Sequence, residues 1–240
     1  NVYFDITKAT DYYKLSGKNP EDLRVGVRET VEEDKSKRNP GDFGLWFTVS
    51  KFANQDMKWD SPWGVGYPGW HIECSGISAE YLGEYLDIHC GGVDNIFPHH
   101  TNEIAQSEAL TGKTFADYWS HCGLIKINGE KMSKSLGNSL TIRDALKNYN
   151  YEVLKFVMFS KHYSSDIDIL DNDYTLSESQ MYYFYNTIKA MEDFINQYNG
   201  DAVGEKLEDD ISSKIKEDFI NVMDDDFNTP AAIANLHAIF

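Results

Sequence analysis

Apolar and polar positions change period several times along the chain, and each change predicts an element. Val2, Phe4 and Ile6 alternate with polar neighbours, which reads as a strand within residues 1–15. A short apolar run, DFGLWFTV, covers residues 42–49. The Gly-, Pro- and Trp-rich segment WDSPWGVGYPG at residues 59–69 reads as a loop whose rings need burial. Ile72, Ser75, Ala79 and Leu82 then recur at helical spacing, predicting a helix over 71–82 that Gly83 ends. A short strand is expected at 87–90, a helix at 98–110 with Gly112 as its stop, and a strand within 115–127 before an Asn128-Gly129 turn. Further helices are predicted at 141–149 with Thr141 as N-cap, 151–160, 174–198 before Gly200, 212–223, and 230–240 with Thr229 as N-cap and Pro230 in the first position. The charged stretch 16–39, with Glu32, Glu33, Asp34, Lys35, Lys37 and Arg38, predicts a solvated surface.

Helix and strand in alternation are the rhythm of a parallel α/β sheet, whose ligands gather outside the carboxyl ends of the strands. The candidate chemistry falls in this part of the chain. A helix beginning at Pro98 places His99 and Glu103 four residues apart on one face. With Cys74 from a separate helix they offer nitrogen, oxygen and sulfur, a donor set that zinc accepts in a tetrahedron. The same residues also fit a plainer reading, with Cys74 a small buried apolar side chain and His99 a helix-start residue bonded to backbone.

Gly91, Gly92 and Asp94 follow the predicted strand, where missing Cβ atoms let a nucleotide approach the backbone and a carboxylate can accept from ribose hydroxyls. Taken alone, a Gly-Gly-x-Asp run is usually just a turn. Lys131 and Lys134, in EKMSKSLGN at residues 130–138, suit a mobile loop that brings positive charge to a phosphate. Lysine-rich loops are mostly ordinary surface.

Length and composition narrow the class. The 240 residues, 41% apolar and 14% aromatic, suffice for a core divided between two or three units. The net charge of −17 is concentrated late, with 17 acidic against 4 basic residues from Ser164 to Phe240. A polyanion would therefore meet a local basic patch, not the overall field. Three widely spaced cysteines, Cys74, Cys90 and Cys122, argue against a disulfide scaffold and for a reducing compartment. The chain shows no signal peptide and no apolar run of membrane length, so the expectation is a cytoplasmic protein without a membrane association.

The lysine loop, Lys131-Met132-Ser133-Lys134-Ser135, resembles the signature of the class I aminoacyl-tRNA synthetases. GWHIECS (69–75), DIHCGGVD (87–94) and FPHHTNEIAQSEA (97–109) resemble their cysteine-specific branch. RNPGDFGLW, SPWGVGYPGW and MDDDFNTPAA (223–232) extend the likeness over nearly the whole chain. The resemblance implies an α/β fold, the second half of a class I Rossmann-like nucleotide-binding domain with a connective insertion and a C-terminal α-helical region. The insertion would occupy residues 1–59, the second half of the catalytic fold with its KMSKS loop 60–139, a stem-contact-like helical linker 140–175, and the start of a helical bundle 176–240.

The family's first zinc cysteine, its His-x-Gly-His signature and its anticodon-binding end have no counterpart, so the resemblance implies a partial chain, inactive alone. Cys74, His99 and Glu103 match three of four ligands to one Zn2+ per subunit, Trp70 an aromatic wall of the amino-acid pocket, and His89 a neighbouring pocket residue. Gly91, Gly92 and Asp94 match the adenosine-holding segment, and Lys131 and Lys134 the loop that steadies the phosphates of ATP, bound with Mg2+. The implied partners are L-cysteine, ATP and tRNA(Cys), with the enzyme a monomer. Two alternatives stand beside this: a ligase joining cysteine to an amino sugar through the same adenylate, and a non-catalytic fragment that keeps a zinc or tRNA surface.

Overall fold

The structure, a computed structural model, describes residues 1–18, 37–49, 56–170, 172–197 and 209–239. Glu32, Glu33, Asp34 and Lys35 of the charged stretch lie outside the described residues, as do Gly200 and Phe240. The chain divides into two units, Asn1–His121 and Cys122–Phe240.

The first unit opens with a three-stranded antiparallel sheet in the order β1 (Val2–Phe4), β2 (Phe43–Phe47), β3 (Tyr67–Pro68). The Gly-rich segment is glycine-rich because it lies on β2 backbone to backbone. Gly69 N donates to Leu45 O at 2.9 Å, and a Cβ on Gly69 would stand 2.0 Å from Gly44 O. That contact fixes where the next helix begins. The expected burial of the loop's rings is not met, since Trp59 and Trp63 stay 49% and 61% exposed.

Helix α1 (Trp70–Tyr81) starts directly after Gly69. Its inward face differs from the predicted apolar stripe. Ser75 is buried and Leu82, just past the helix end, is 70% exposed, because the face turned inward packs on a polar partner helix. Strand β4 (Leu86–Gly92) runs two residues beyond the predicted stop, so Gly91 and Gly92 belong to the strand itself, beside β5 (Ala116–Cys122).

Helical backbone begins at Pro98, as predicted: Phe97 just before it is extended (φ −137°, ψ 129°), a π-type turn follows through His100, and α2 (Thr101–Thr111) continues it. Gly112 closes α2 in the left-handed conformation (φ 69°), as expected of a helix stop. Leu86, Phe115 and Ala116 form the local core, with Ile104 and Trp119 against it.

In the second unit the expected strand at 115–127 breaks, and β6 (Ile125–Ile127) pairs in parallel with β8 (Ile167–Ile169). The break falls at Gly123, which donates to Tyr163 O and whose missing Cβ would lie 2.2 Å from Ser165 O. Asn128 and Gly129, both at positive φ (51° and 83°), turn β6 back into β7 (Glu130–Lys131), the pairing that two positive φ values favour.

Helices α3 (Ile142–Ala145), α4 (Tyr151–Phe159), α5 (Asp173–Gln197), α6 (Asp209–Asp224) and α7 (Thr229–Ile239) follow. Thr141 caps α3 as predicted, accepting from Asp144 N. At α7 the cap shifts by one, because Asn228 Oδ1 accepts from Ala231 N at 3.2 Å. Val153 and Val157 of α4 and Phe184 of α5 are buried where these two helices pack.

Candidate functional site

The site of the first unit is assembled by three short elements. The opening turn of α1 carries Trp70, His71 and Cys74; β4 carries His89; and the turn into α2 carries His99, His100 and Glu103. A helix normally turns its apolar residues inward, yet α2 buries Thr101, Asn102, Glu103, Gln106 and Ser107. Some of these side chains are paired, though Gln106 Oε1 and Glu103 Oε1 have no hydrogen-bond partner among the described residues. Gln106 Nε2 donates to Ser75 Oγ at 2.9 Å, and Tyr12 hydrogen-bonds to Asn102 Oδ1.

Glu103 lies at the centre and is 1% exposed. Its Oε2 is 2.8 Å from His89 Nε2, while its Oε1 has no hydrogen-bond partner among the described residues. His99 Nε2 lies 3.4 Å from Oε1, so the two share a face as the four-residue spacing predicts. Cys74, His99 and Glu103 each offer a ligand atom, all within 4.8 Å of one another. His89, His100 and Glu103 form a second such group around the same carboxylate. A carboxylate oxygen left buried without a hydrogen-bond partner is costly, and a cation is one group that would satisfy it.

The rings around the ligands are stacked and neutral. Trp70 stacks on His99 with centroids 4.3 Å apart, and His71 Nδ1 lies 2.9 Å from His99 Nδ1. Burial pushes His71 and His100 each down to about 4, and lowers His99 and His121 as well. Unprotonated imidazole is the form that binds metals. Burial first, and then the Glu103 carboxylate, pushes the Cys74 thiol up, a shift that a divalent cation would reverse.

Gly91 has a packing reason of its own, because a Cβ there would come within 2.5 Å of His100 Cε1. Asp94 sits exposed on the turn after β4 (Val93–Asn95). Cys90 and Cys122 are exposed free thiols outside both groups. Reading the sequence missed His71 and His121. For His71 the spacing to Cys74, three residues along one helix, carried the signal.

Lys131 and Lys134 belong to the second unit. Lys131 ends β7, and the following loop is closed by Asn138, whose Oδ1 accepts from Ser133 N at 2.9 Å and whose Nδ2 donates to Lys131 O at 3.2 Å. Gly137 takes φ 69° and bonds back to Lys134 O. Both lysines are exposed.

Residues 1–179 match the family model of the tRNA synthetases class I (C) catalytic domain. The chain belongs to this class I synthetase family. Residues 218–240 match the DALR domain. Among related proteins, the cysteine--tRNA ligase of Geotalea daltonii is 46% identical over 98% of this chain and 49% of its own length. That of Thermococcus onnurineus is 47% identical over 97% and 48%, and that of Clostridioides difficile 45% over 98% and 50%. The chain thus spans about half the length of the relatives it matches. A solved LeuRS of Agrobacterium radiobacter, in a ternary complex with tRNA and LeuAMS, superposes with a TM-score of 0.55 at 15% identity, over 76% of this chain and 28% of that one. This likeness extends the α/β class I fold to the present chain. Among the described residues, no helix is long and apolar enough to cross a membrane.

Proposed function

We propose that the protein to which this chain belongs activates L-cysteine with ATP and passes it to tRNA(Cys), with a zinc site reading the substrate's thiolate. The observation that carries this is the convergence of the Cys74 thiol, the His99 imidazole and the buried Glu103 carboxylate, each offering a ligand atom within 4.8 Å of the others. This donor set suits zinc, as a mix of sulfur, nitrogen and oxygen is what that ion accepts. Cys74, His99 and Glu103 would hold it. When bound, zinc supplies a thiophilic centre that separates a thiolate from a hydroxyl by bond chemistry, where size alone gives only about 1–3 kcal/mol of discrimination.

The chain's own residues have distinct tasks in this reading. Trp70 walls the amino-acid pocket beside His99, and His89 borders it while holding Glu103 Oε2. Gly91, Gly92 and Asp94 hold the adenosine, and Lys131 and Lys134 neutralise the charge that grows on the phosphates of Mg2+-bound ATP as the cysteine carboxylate attacks the α-phosphorus and pyrophosphate departs. A ribose hydroxyl of the terminal tRNA adenosine then attacks the carbonyl carbon of the adenylate, forming the ester as the acyl–phosphate bond breaks and AMP departs. Relatives named as cysteine--tRNA ligases support tRNA as the acceptor over an amino sugar. In this scheme residues 1–59 are the connective insertion, 60–139 the second half of the catalytic fold, 140–175 the stem-contact-like linker and 176–240 the start of the helical bundle. Three free cysteines support a cytoplasmic setting, and we assign a monomer.

Metal analysis of the purified protein, wild type against Cys74→Ser, tests the reading. We expect about one zinc per chain in the wild type and a loss of most of it in the variant; zinc content indifferent to the change would refute the site.

A further inference from the structure

His71 is not among the expected ligands, yet its geometry ties it to one of them. Its Nδ1 lies 2.9 Å from His99 Nδ1, while His99 turns its other nitrogen, Nε2, toward Glu103 Oε1 at 3.4 Å. Two imidazole nitrogens 2.9 Å apart hydrogen-bond through one proton, so one donates and the other accepts. A nitrogen that binds a cation carries no proton. His99 can therefore offer Nε2 to a metal only if its own proton sits on Nδ1, pointing at His71.

We propose that His71 is a positioning residue: it accepts the Nδ1–H of His99 and so locks the tautomer and ring plane that present Nε2 to zinc. His71 in turn carries its proton on Nε2. The arrangement is held from both sides. Phe43 meets the His71 ring edge-on with centroids 5.7 Å apart, and Trp70 stacks on His99 at 4.3 Å. His71 and Cys74 lie one turn apart on α1, so a single helix delivers a sulfur ligand and the acceptor that orients a nitrogen ligand from another element. His89 does the corresponding task for the carboxylate, engaging Oε2 and leaving Oε1 for the ion.

This inference rests on the zinc reading above, and the test separates the two. Zinc affinity is measured by competition with a chromophoric chelator for the intact protein, His71→Leu and His71→Asn. Leucine keeps bulk but cannot accept a hydrogen bond; the asparagine carbonyl can accept near the position of Nδ1. We expect affinity to fall 10- to 100-fold in the leucine variant and to recover largely in the asparagine variant. Wild-type zinc binding with unchanged affinity in His71→Leu, or equal loss in both variants, overturns the role of His71 while leaving the zinc reading intact. Absence of zinc from the wild type refutes the zinc reading itself. Nitrogen-15 NMR of the zinc-loaded wild type decides independently of how the variants fold: His99 must be protonated at Nδ1 and His71 at Nε2, and the reverse assignment overturns the proposal.

Discussion

Glu103 and His100 show how few atoms decide this site. A carboxylate that is 1% exposed would ordinarily be expelled or neutralised, and here one oxygen is held by His89 while the other faces Cys74 and His99. His100, 3% exposed and paired through Nδ1 with His121 Nε2 at 2.8 Å, leaves no space beside Gly91. Gly91→Ala should therefore destabilise the fold by about 1–3 kcal/mol, read as a lower denaturant midpoint at unchanged m-value. An unchanged midpoint would mean the His100 ring gives way freely. At Lys134 the prediction is kinetic. Lys134→Ala in the intact protein should slow adenylate formation far more than it weakens cysteine binding, seen by pyrophosphate exchange and cysteine titration; equal losses would contradict a role in the phosphate step.

At the scale of elements, caps and turns were legible because their causes are local. Thr141 caps α3, Gly112 stops α2 in the left-handed region, and Asn128-Gly129 turns β6 into β7, all as read from residue type and spacing. Asn150 caps α4 by accepting from Glu152 N at 3.1 Å. Asn150→Ala should cost about 1 kcal/mol in thermal or denaturant unfolding, and no cost would show that packing of α4 against α5 alone fixes that helix end. The helix start at Pro98 was legible for the same reason, since the residue before a proline is driven to extended backbone. Other boundaries were not: β4 runs on through Gly92, the α7 cap falls on Asn228 instead of Thr229, and the strand at 115–127 broke at Gly123 because the backbone at Ser165, some forty residues later in the chain, presses against it. A neighbour that distant is invisible in a local window. The face of α1 was misjudged for the same kind of reason, since its inward neighbours are the polar residues of α2.

Over the whole molecule, if the first unit holds zinc as proposed, metal should couple to folding. Zinc supplied at about a hundred times its dissociation constant should stabilise the native state by about 2.7 kcal/mol, seen as a higher transition temperature in calorimetry; an unmoved transition would place any bound metal outside the folded structure. The sequence alone determined the class I family and the α/β alternation, and it offered Cys74, His99 and Glu103 as a candidate donor set, because motif residues and four-residue spacing act over short stretches of chain. Tertiary structure decided the rest: that α1 and α2 bring those three donors within 4.8 Å, that Oε2 of Glu103 is spoken for and Oε1 is not, and that His71 meets His99. The contacts between separate elements among these join residues 14 to 29 positions apart, and only the packing of those elements fixes which nitrogen or oxygen each side chain turns toward the site.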